Sequence, residues 1–418
     1  MAGADSISWV HLTAACELIK RKTPSWALPV IHYGDVLNMV GSFWPMRHRT
    51  NLSTLLPFTY YCEATDPRDH IYGLLGIASE SSTSKIVVDY GKDVKEVFLD
   101  ALGHSLADLR HLKLLSLCDS ASKPTWIPDL HRTRGLRPLF RGMAGLASPA
   151  EMRIISKTHA EARGVECDAI TEVLGPDGEE ESSANDQLQS LVVEAARRFL
   201  GPNPDAWAQE TFRHFCLAMY IHLPAGHPSV EFEKARLAYS VSPDSTAPAR
   251  PGNSERQDLA FTYFLRGRSL YLTKNGYIMM GPRGCQPGDI VCVLLGSNLP
   301  TVLRPTDNEE YEIKGPASHP RLFFGEALLG ELPEGWQVTY PEVIWSHVFE
   351  GPNGEQQNMD PRLSDIPIPD GWKFLRRKDD GQNPPHNEKR GYSTKFDPRT
   401  SAQELQKRGV QIRTFTLT

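Results

Sequence analysis

The chain has 418 residues, 40% hydrophobic and 23% charged, with a formal net charge of −6. That length allows two or three domains with sizeable cores, and the balanced composition excludes a disordered or fibrous chain. The mild negative charge provides no global attraction to nucleic acid or anionic membranes, so no nucleic-acid partner is expected.

Taken in order, Ser8 is placed to cap a helix over 9–21, and a second helix is expected over 33–43. Asn51 or Ser53 opens a third, running towards Cys62. The next helix start has unusually complete signals. Asp66 is a good N-cap, and Pro67 fits the first helical position, where its missing N–H costs nothing. Asp69 adds negative charge at the positive helix end. Ile71, Leu74, Leu75 and Ala78 then share one face, and Arg68 and Tyr72 lie four apart, within reach of each other. Gly73 inside such a helix costs roughly 1 kcal/mol against Ala, which points to close packing on a neighbour. Residues 86–90 read as a short extended run, and Asp93 caps an amphipathic helix through about 109. Pro124-Thr125-Trp126-Ile127-Pro128-Asp129 is a Pro-bracketed turn around a Trp.

From about His131 the character changes. Arg132, Arg134, Arg137 and Arg141 stand among Gly and Pro, as in an exposed basic linker. Residues 152–174 read as one or two strands. Two helices follow, over about 188–199 and 207–221, and a Pro/Ser/Arg-rich stretch spans 241–258. The next block is β. Residues 269–273 and 276–280 form a hairpin with Asn275-Gly276 in its turn. Strands are expected at 289–295, 301–304, 311–313 and 322–324, a density that suggests a small barrel or sandwich. The polar, Pro-rich tail holds Trp372 and Phe374 as anchors. It closes with the capping-box pattern Ser401-Ala402-Gln403-Glu404, a helix stopped by Gly409, and a partly alternating run that fits a last strand.

The fold class expected is therefore α+β. A mostly helical region covers 1–130, a linker 131–150, a β-rich domain 151–345 with a helical insertion at about 186–260, and a polar tail 346–418.

Reactive constellations are scarce. The glycine-rich run Gly281-Pro282-Arg283-Gly284-Cys285-Gln286-Pro287-Gly288 is followed by a strand, whereas a phosphate cradle needs a helix N-terminus there, so it reads as a turn. No His/Cys set has zinc spacing, no G-x-S-x-G elbow appears, and no cofactor is implied. The seven cysteines form no C-x-x-C pair and fit reduced thiols in a cytoplasmic or nuclear compartment. There is no N-terminal apolar signal and no apolar run of about 18 residues. Candidate binding residues are Asp66, Arg68, Asp69 and Tyr72, with Arg132 and Arg134 for a phosphate or an acidic partner. For the first three, helix capping and an ion pair already explain the residue types.

The stretch "ATDPRDHIYGLLGIA" resembles a signature of fungal heterokaryon-incompatibility (HET-domain) proteins. The blocks "SISWVHLTAACELI", "IVVDYGKDVKEVF", "PTWIPDL", "GRSLYLTKNGYIMMGPRGCQPGDIVCVLLGSNLPTVLRP" with "GEALLG", and "FDPRTSAQELQKRGVQIRTFTL" resemble further blocks of that family, in its order. The HET core's own blocks, such as Y-x-A-L-S-Y-x-W-G and I-D-A-x-C-I-N-Q, have no match, so the resemblance is to the C-terminal part alone. It implies a non-enzymatic recognition or regulatory module in fungal non-self recognition and cell death, partnered by another protein. The family's activity belongs to a TIR-like unit with no matching positions here, so no catalytic residue is carried over. Two other readings stand beside it: an enzyme or nucleotide-like ligand binder with a site between the helical and β regions, and an inactive truncated product.

Overall fold

The computed structural model describes residues 51–59, 64–76, 86–118, 123–130, 142–175, 185–219, 267–339, 347–374 and 396–418, with a few short pieces between. The helices expected over 9–21 and 33–43, Arg132 and Arg134, and nearly all of 241–258 lie outside them. The chain divides into two compact units. One comprises residues 1–108 and 129–134, the other 109–128 and 135–418.

In the first unit, α1 (Leu52–Thr59) starts just after Asn51 and buries Leu52, Leu55 and Leu56. The helix expected from Asp66 to Ala78 is a single turn, α2 (Asp69–Tyr72), followed by turns through Gly76. Two glycines within seven residues oppose helix propagation, because each adds backbone freedom that must be lost. Gly73 is exposed rather than packed on a neighbour, and a Cβ there would meet Asp69 O at 2.8 Å. The apolar face survives the shortening: Ile71, Leu74 and Ala78 are buried. Helix α3 (Val94–His104) has the expected cap, with the Asp93 carboxylate accepting from Lys95 N–H at 2.9 Å. It buries Val97, Phe98, Ala101 and Leu102, and a π turn covers Ser105–Leu109.

The second unit is built on a closed sheet. Strand β1 (Met152–Ile154) and the long β2 (Ala160–Gly175) come first. Helices α4 (Asn185–Leu200) and α5 (Gln209–Ala218) follow. Then come β3 (Arg268–Thr273), β4 (Ile278–Pro282), β5 (Ile290–Leu294), β6 (Thr301–Pro305) and β7 (Tyr311–Pro316). After α6 (Glu326–Leu329), β8 (Gln337–Thr339), β9 (Val348–Glu350) and β10 (Gln356–Gln357) form one small sheet. Strands β11 (Trp372–Phe374), β12 (Pro385–Asn387) and β13 (Tyr392–Ser393) form another. Helix α7 (Ala402–Lys407) and β14 (Arg413–Leu417) finish the described chain. The fold class is α+β.

The sheet closes because β2, which also pairs with β1, is long enough to take three further partners in turn. Its first part pairs antiparallel with β14 (Ala162 opposite Phe415), its middle with β5 (Val165 opposite Val293), and its end with β3 (Val173 opposite Tyr271). Strands β5, β6 and β7 continue antiparallel, and β7 meets β14 in parallel at Tyr311 and Leu417, which completes a ring. At the other end, β4 reaches the chain just after β7 through a bridge between Met280 and Ser318. A closed sheet leaves no long unpaired edge. Gly164 permits the close approach of β2 to β5, since a Cβ there would meet Val293 O at 2.5 Å. Ile170, Tyr271, Met279, Val291, Val293 and Val302 fill one core, and α4 and α5 pack Val192, Phe212 and Phe215 against the β3–β4 hairpin in another.

The Thr-Trp turn seals this structure. Thr125 N–H donates to Thr418 O at 2.9 Å, and Thr125 Oγ1 accepts from Ile313 N–H at 2.8 Å, while Trp126 is fully buried. Three expectations are corrected. Leu322–Phe324 is no strand but a buried turn leading into α6, an ambiguity inherent in a three-residue apolar run. Residues 142–150, expected at the end of an exposed linker, are largely buried, with Ala144 N–H bonded to Asn298 O and Gly145 N–H to Ser297 O. Ser401 makes no side-chain cap, and its carbonyl alone receives Leu405 N–H.

Candidate functional site

The residues singled out at 66–72 do converge. Asp66 Oδ1 accepts from Arg68 N–H at 3.0 Å and from Arg68 Nε at 2.9 Å, and Oδ2 accepts from Nη2 at 2.7 Å. This works because Asp-Pro-Arg makes a tight turn that folds the guanidinium back onto the carboxylate, a bidentate pair. The Arg68 bond holds the Asp66 carboxyl below its usual range. Arg68 Nη1 goes on to donate to Lys92 O at 2.9 Å and to Tyr90 O. Tyr90 OH donates to Asp69 Oδ1 at 2.6 Å, which pushes the phenol pKa up. Tyr72 OH donates to Asp89 O at 3.0 Å and accepts from Asp89 N–H at 3.2 Å, and its ring stands edge-on to Tyr90 at 5.3 Å. Arg68, Asp69 and Tyr72 therefore grip the 89–92 turn, and Asp66 holds Arg68 in place for it. Arg68 reaches that turn rather than Tyr72, the contact expected from their spacing.

The second unit holds a buried pair that sequence reasoning missed. His319 Nε2 and Asp168 Oδ2 lie 3.3 Å apart, both side chains all but inaccessible. His319 Nδ1 accepts from Arg321 N–H at 3.2 Å, which assigns the proton to Nε2 and makes it the donor to Asp168. Burial pushes the His319 pKa down, so the ring is neutral at neutral pH. For Asp168, burial raises the pKa, but bonds from His319, Thr273 and Ala169 N–H outweigh it and the net shift is downward. Asp168 Oδ1 also accepts from Asn275 N–H at 3.2 Å. The pair thus ties the β3–β4 turn to the segment after β7. Both His319 ring nitrogens are spent, so it cannot relay a proton to a nucleophile as a catalytic histidine does. No sequence signal flags this pair, because Asp168 and His319 are 151 positions apart.

The glycine-rich run after β4 is a turn, with Gly284 and Gly288 at positive φ. Its backbone N–H at Gln286 donates to Asp289 Oδ2 at 2.9 Å, and Arg304 grips Asp289 through Nε and Nη2, both at 2.8 Å. Among the described residues no group of His, Cys, Asp and Glu is arranged to hold a metal ion, and no helix is long and apolar enough to cross a membrane.

These strands have known counterparts. Residues 249–321 match the Het-6 beta-barrel domain family, a span that contains β3 to β7. Heterokaryon incompatibility protein 6, OR allele, of Neurospora crassa is 38% identical over 71 residues, which is 17% of this chain and 9% of that protein. No solved structure matches. Residues 249–321 are thus similar to a Het-6 beta-barrel domain, and the chain shares a stretch of 71 residues, 9% of the relative's length, with a fungal heterokaryon-incompatibility protein. Strands β2 and β14, which complete the ring, come from outside the matched span.

Proposed function

We propose that the chain is a non-enzymatic recognition or regulatory part of a heterokaryon-incompatibility system, acting in fungal non-self recognition and the cell death that follows it. The match of residues 249–321 to the Het-6 barrel domain carries this reading. The site chemistry supports it. The polar groups of Asp66, Arg68, Asp69 and Tyr72 are bonded to one another and to the 89–92 turn, and both His319 nitrogens are occupied. In this reading the helical region, the barrel with its insertion and the tail are successive functional parts, and the expected partner is another protein in the cytoplasm. Arg132 and Arg134 are the basic residues offered to an acidic partner.

The test is transformation of a fungus with the intact chain and with Phe415→Asp, which places a charge at a fully buried barrel position. The intact chain is expected to change the recovery of viable fused colonies, and the variant to leave it at the empty-vector value. Equal recovery with the intact chain and the empty vector would overturn the proposal.

A further inference from the structure

Lys314 lies on β7 with only 7% of its surface exposed. Among the described residues its ammonium makes no hydrogen bond and no ion pair. The ammonium keeps contact with solvent, but one so largely withdrawn from water and left without an acceptor is still costly, and an anion bound to it offsets that cost. The neighbouring carboxylates are already taken. Asp289 is gripped by Arg304, and Glu312 is paired with Lys123. The nearby Cys285 thiol, pushed up to about 12 by burial, stays protonated and supplies no charge.

Arg304 stands on the adjacent strand. It lies opposite Glu312 in the β6–β7 register, and Lys314 follows two residues along β7, at the bulge where the register shifts between Val302 and Leu303. The two cations feel each other: after burial, Arg304 is the main influence holding the Lys314 pKa down. Arg304 Nε and Nη2 are bound to Asp289, and Nη2 also donates to Gly284 O at 2.7 Å. Its Nη1 has no partner among the described residues. The guanidinium is partly open to solvent, with 22% of the side chain exposed. The local charges are Lys123, Arg304 and Lys314 against Glu312 and Asp289, an excess of one positive charge.

We propose that Lys314 Nζ and Arg304 Nη1 form a site for a small oxyanion, either a phosphate group or a carboxylate, at the β6–β7 face of the barrel. The glycine-rich turn holds Arg304 through the Gly284 carbonyl and Asp289 through Gln286 N–H. It therefore shapes the site without offering a cradle of N–H groups, and the charged side chains bind the anion.

The test uses the full chain and inorganic anions. Lysines are acylated with a limiting reagent, and the modification of each is followed by mass spectrometry in chloride, phosphate, sulfate or acetate at matched ionic strength. Phosphate or acetate at about four times its Kd should slow acylation of Lys314 about fivefold against chloride, while the exposed Lys407 reacts unchanged. Protection by phosphate and sulfate but not acetate assigns a phosphate-type ligand, and the reverse a carboxylate. Acylation of Lys314 at the chloride rate in every anion would overturn the proposal. In Lys314→Met, the rise in melting temperature that the protecting anion gives the native chain should disappear. A rise of the same size in a folded variant would also overturn it, and the acylation result stands by itself if the variant does not fold.

Discussion

At the scale of single residues, one device recurs. Asp66-Pro67-Arg68, Asp360-Pro361-Arg362 and Asp397-Pro398-Arg399 share one geometry, in which the carboxylate takes the backbone N–H, the Nε and the Nη2 of the arginine two positions on. The arginine then reaches distant backbone: Lys92 O in the first case, Phe324 O in the second, Leu363 O in the third. The repeated tripeptide was visible in the sequence, but its reach across the fold was not. Exposure decides what each is worth. The Arg362–Asp360 side chains are 6% and 6% exposed and Arg399–Asp397 3% and 12%, so removing the arginine strands a buried carboxylate. Arg362→Met or Arg399→Met should cost about 3–5 kcal/mol in urea unfolding of the second unit. Arg68→Met, at a more exposed pair, should cost a small fraction of that.

A titration belongs at the same scale. Glu326 is partly exposed as a residue, but its carboxyl is enclosed, and burial raises its pKa from 4.5 to about 7. The folded value lies above the unfolded one, so the contribution is fully present below pH 4.5 and is lost as pH rises to about 7. Urea unfolding across pH should show Glu326→Gln more stable than the native chain above pH 7, by on the order of 1–3 kcal/mol, with the gap closing near pH 4.5. His347 works in the opposite direction. Burial lowers it from 6.5 to about 4, so acid erodes stability as pH falls through that window.

At the scale of elements, the barrel depends on its last strand. Phe415 is fully buried on β14, between Ala162 of β2 and the Tyr311 ring at 5.3 Å. Phe415→Ala should lower the unfolding free energy of the second unit by about 3–5 kcal/mol. Thr125→Val keeps the shape of the sealing turn but leaves Ile313 N–H without its acceptor, and should cost about 1–3 kcal/mol by the same measurement.

Legibility in the sequence followed the range of the forces. The β3–β4 hairpin was legible because Asn275-Gly276 marks its turn and Gly276 sits at φ +82. The Asp93 cap and the apolar stripe of α3 were legible for the same reason: each is decided within a few residues. The ring was not. Nothing local in 160–175 says that one strand will take β14, β5 and β3 in succession, and the parallel contact of β7 with β14 joins positions about a hundred residues apart. The site followed the same division. Asp66, Arg68, Asp69 and Tyr72 were found by their motif, but the 89–92 turn they hold was not. The Asp168–His319 pair and the Lys314–Arg304 pair exist only once the strands are assembled.

At the scale of the whole molecule, the chain pairs a helical unit held by one Asp-Pro-Arg staple with a barrel unit held by two. In each, the Asp-Pro-Arg arginines hold backbone segments together, and the function proposed for the chain is binding. The most direct test is a comparison of small-molecule pools in fungal cells expressing the intact chain and in cells carrying the empty vector. A binding module predicts identical pools, nucleotides included, in cells sampled before viability changes. A pool altered by the intact chain, and restored by a single polar substitution that leaves the fold intact, would contradict it.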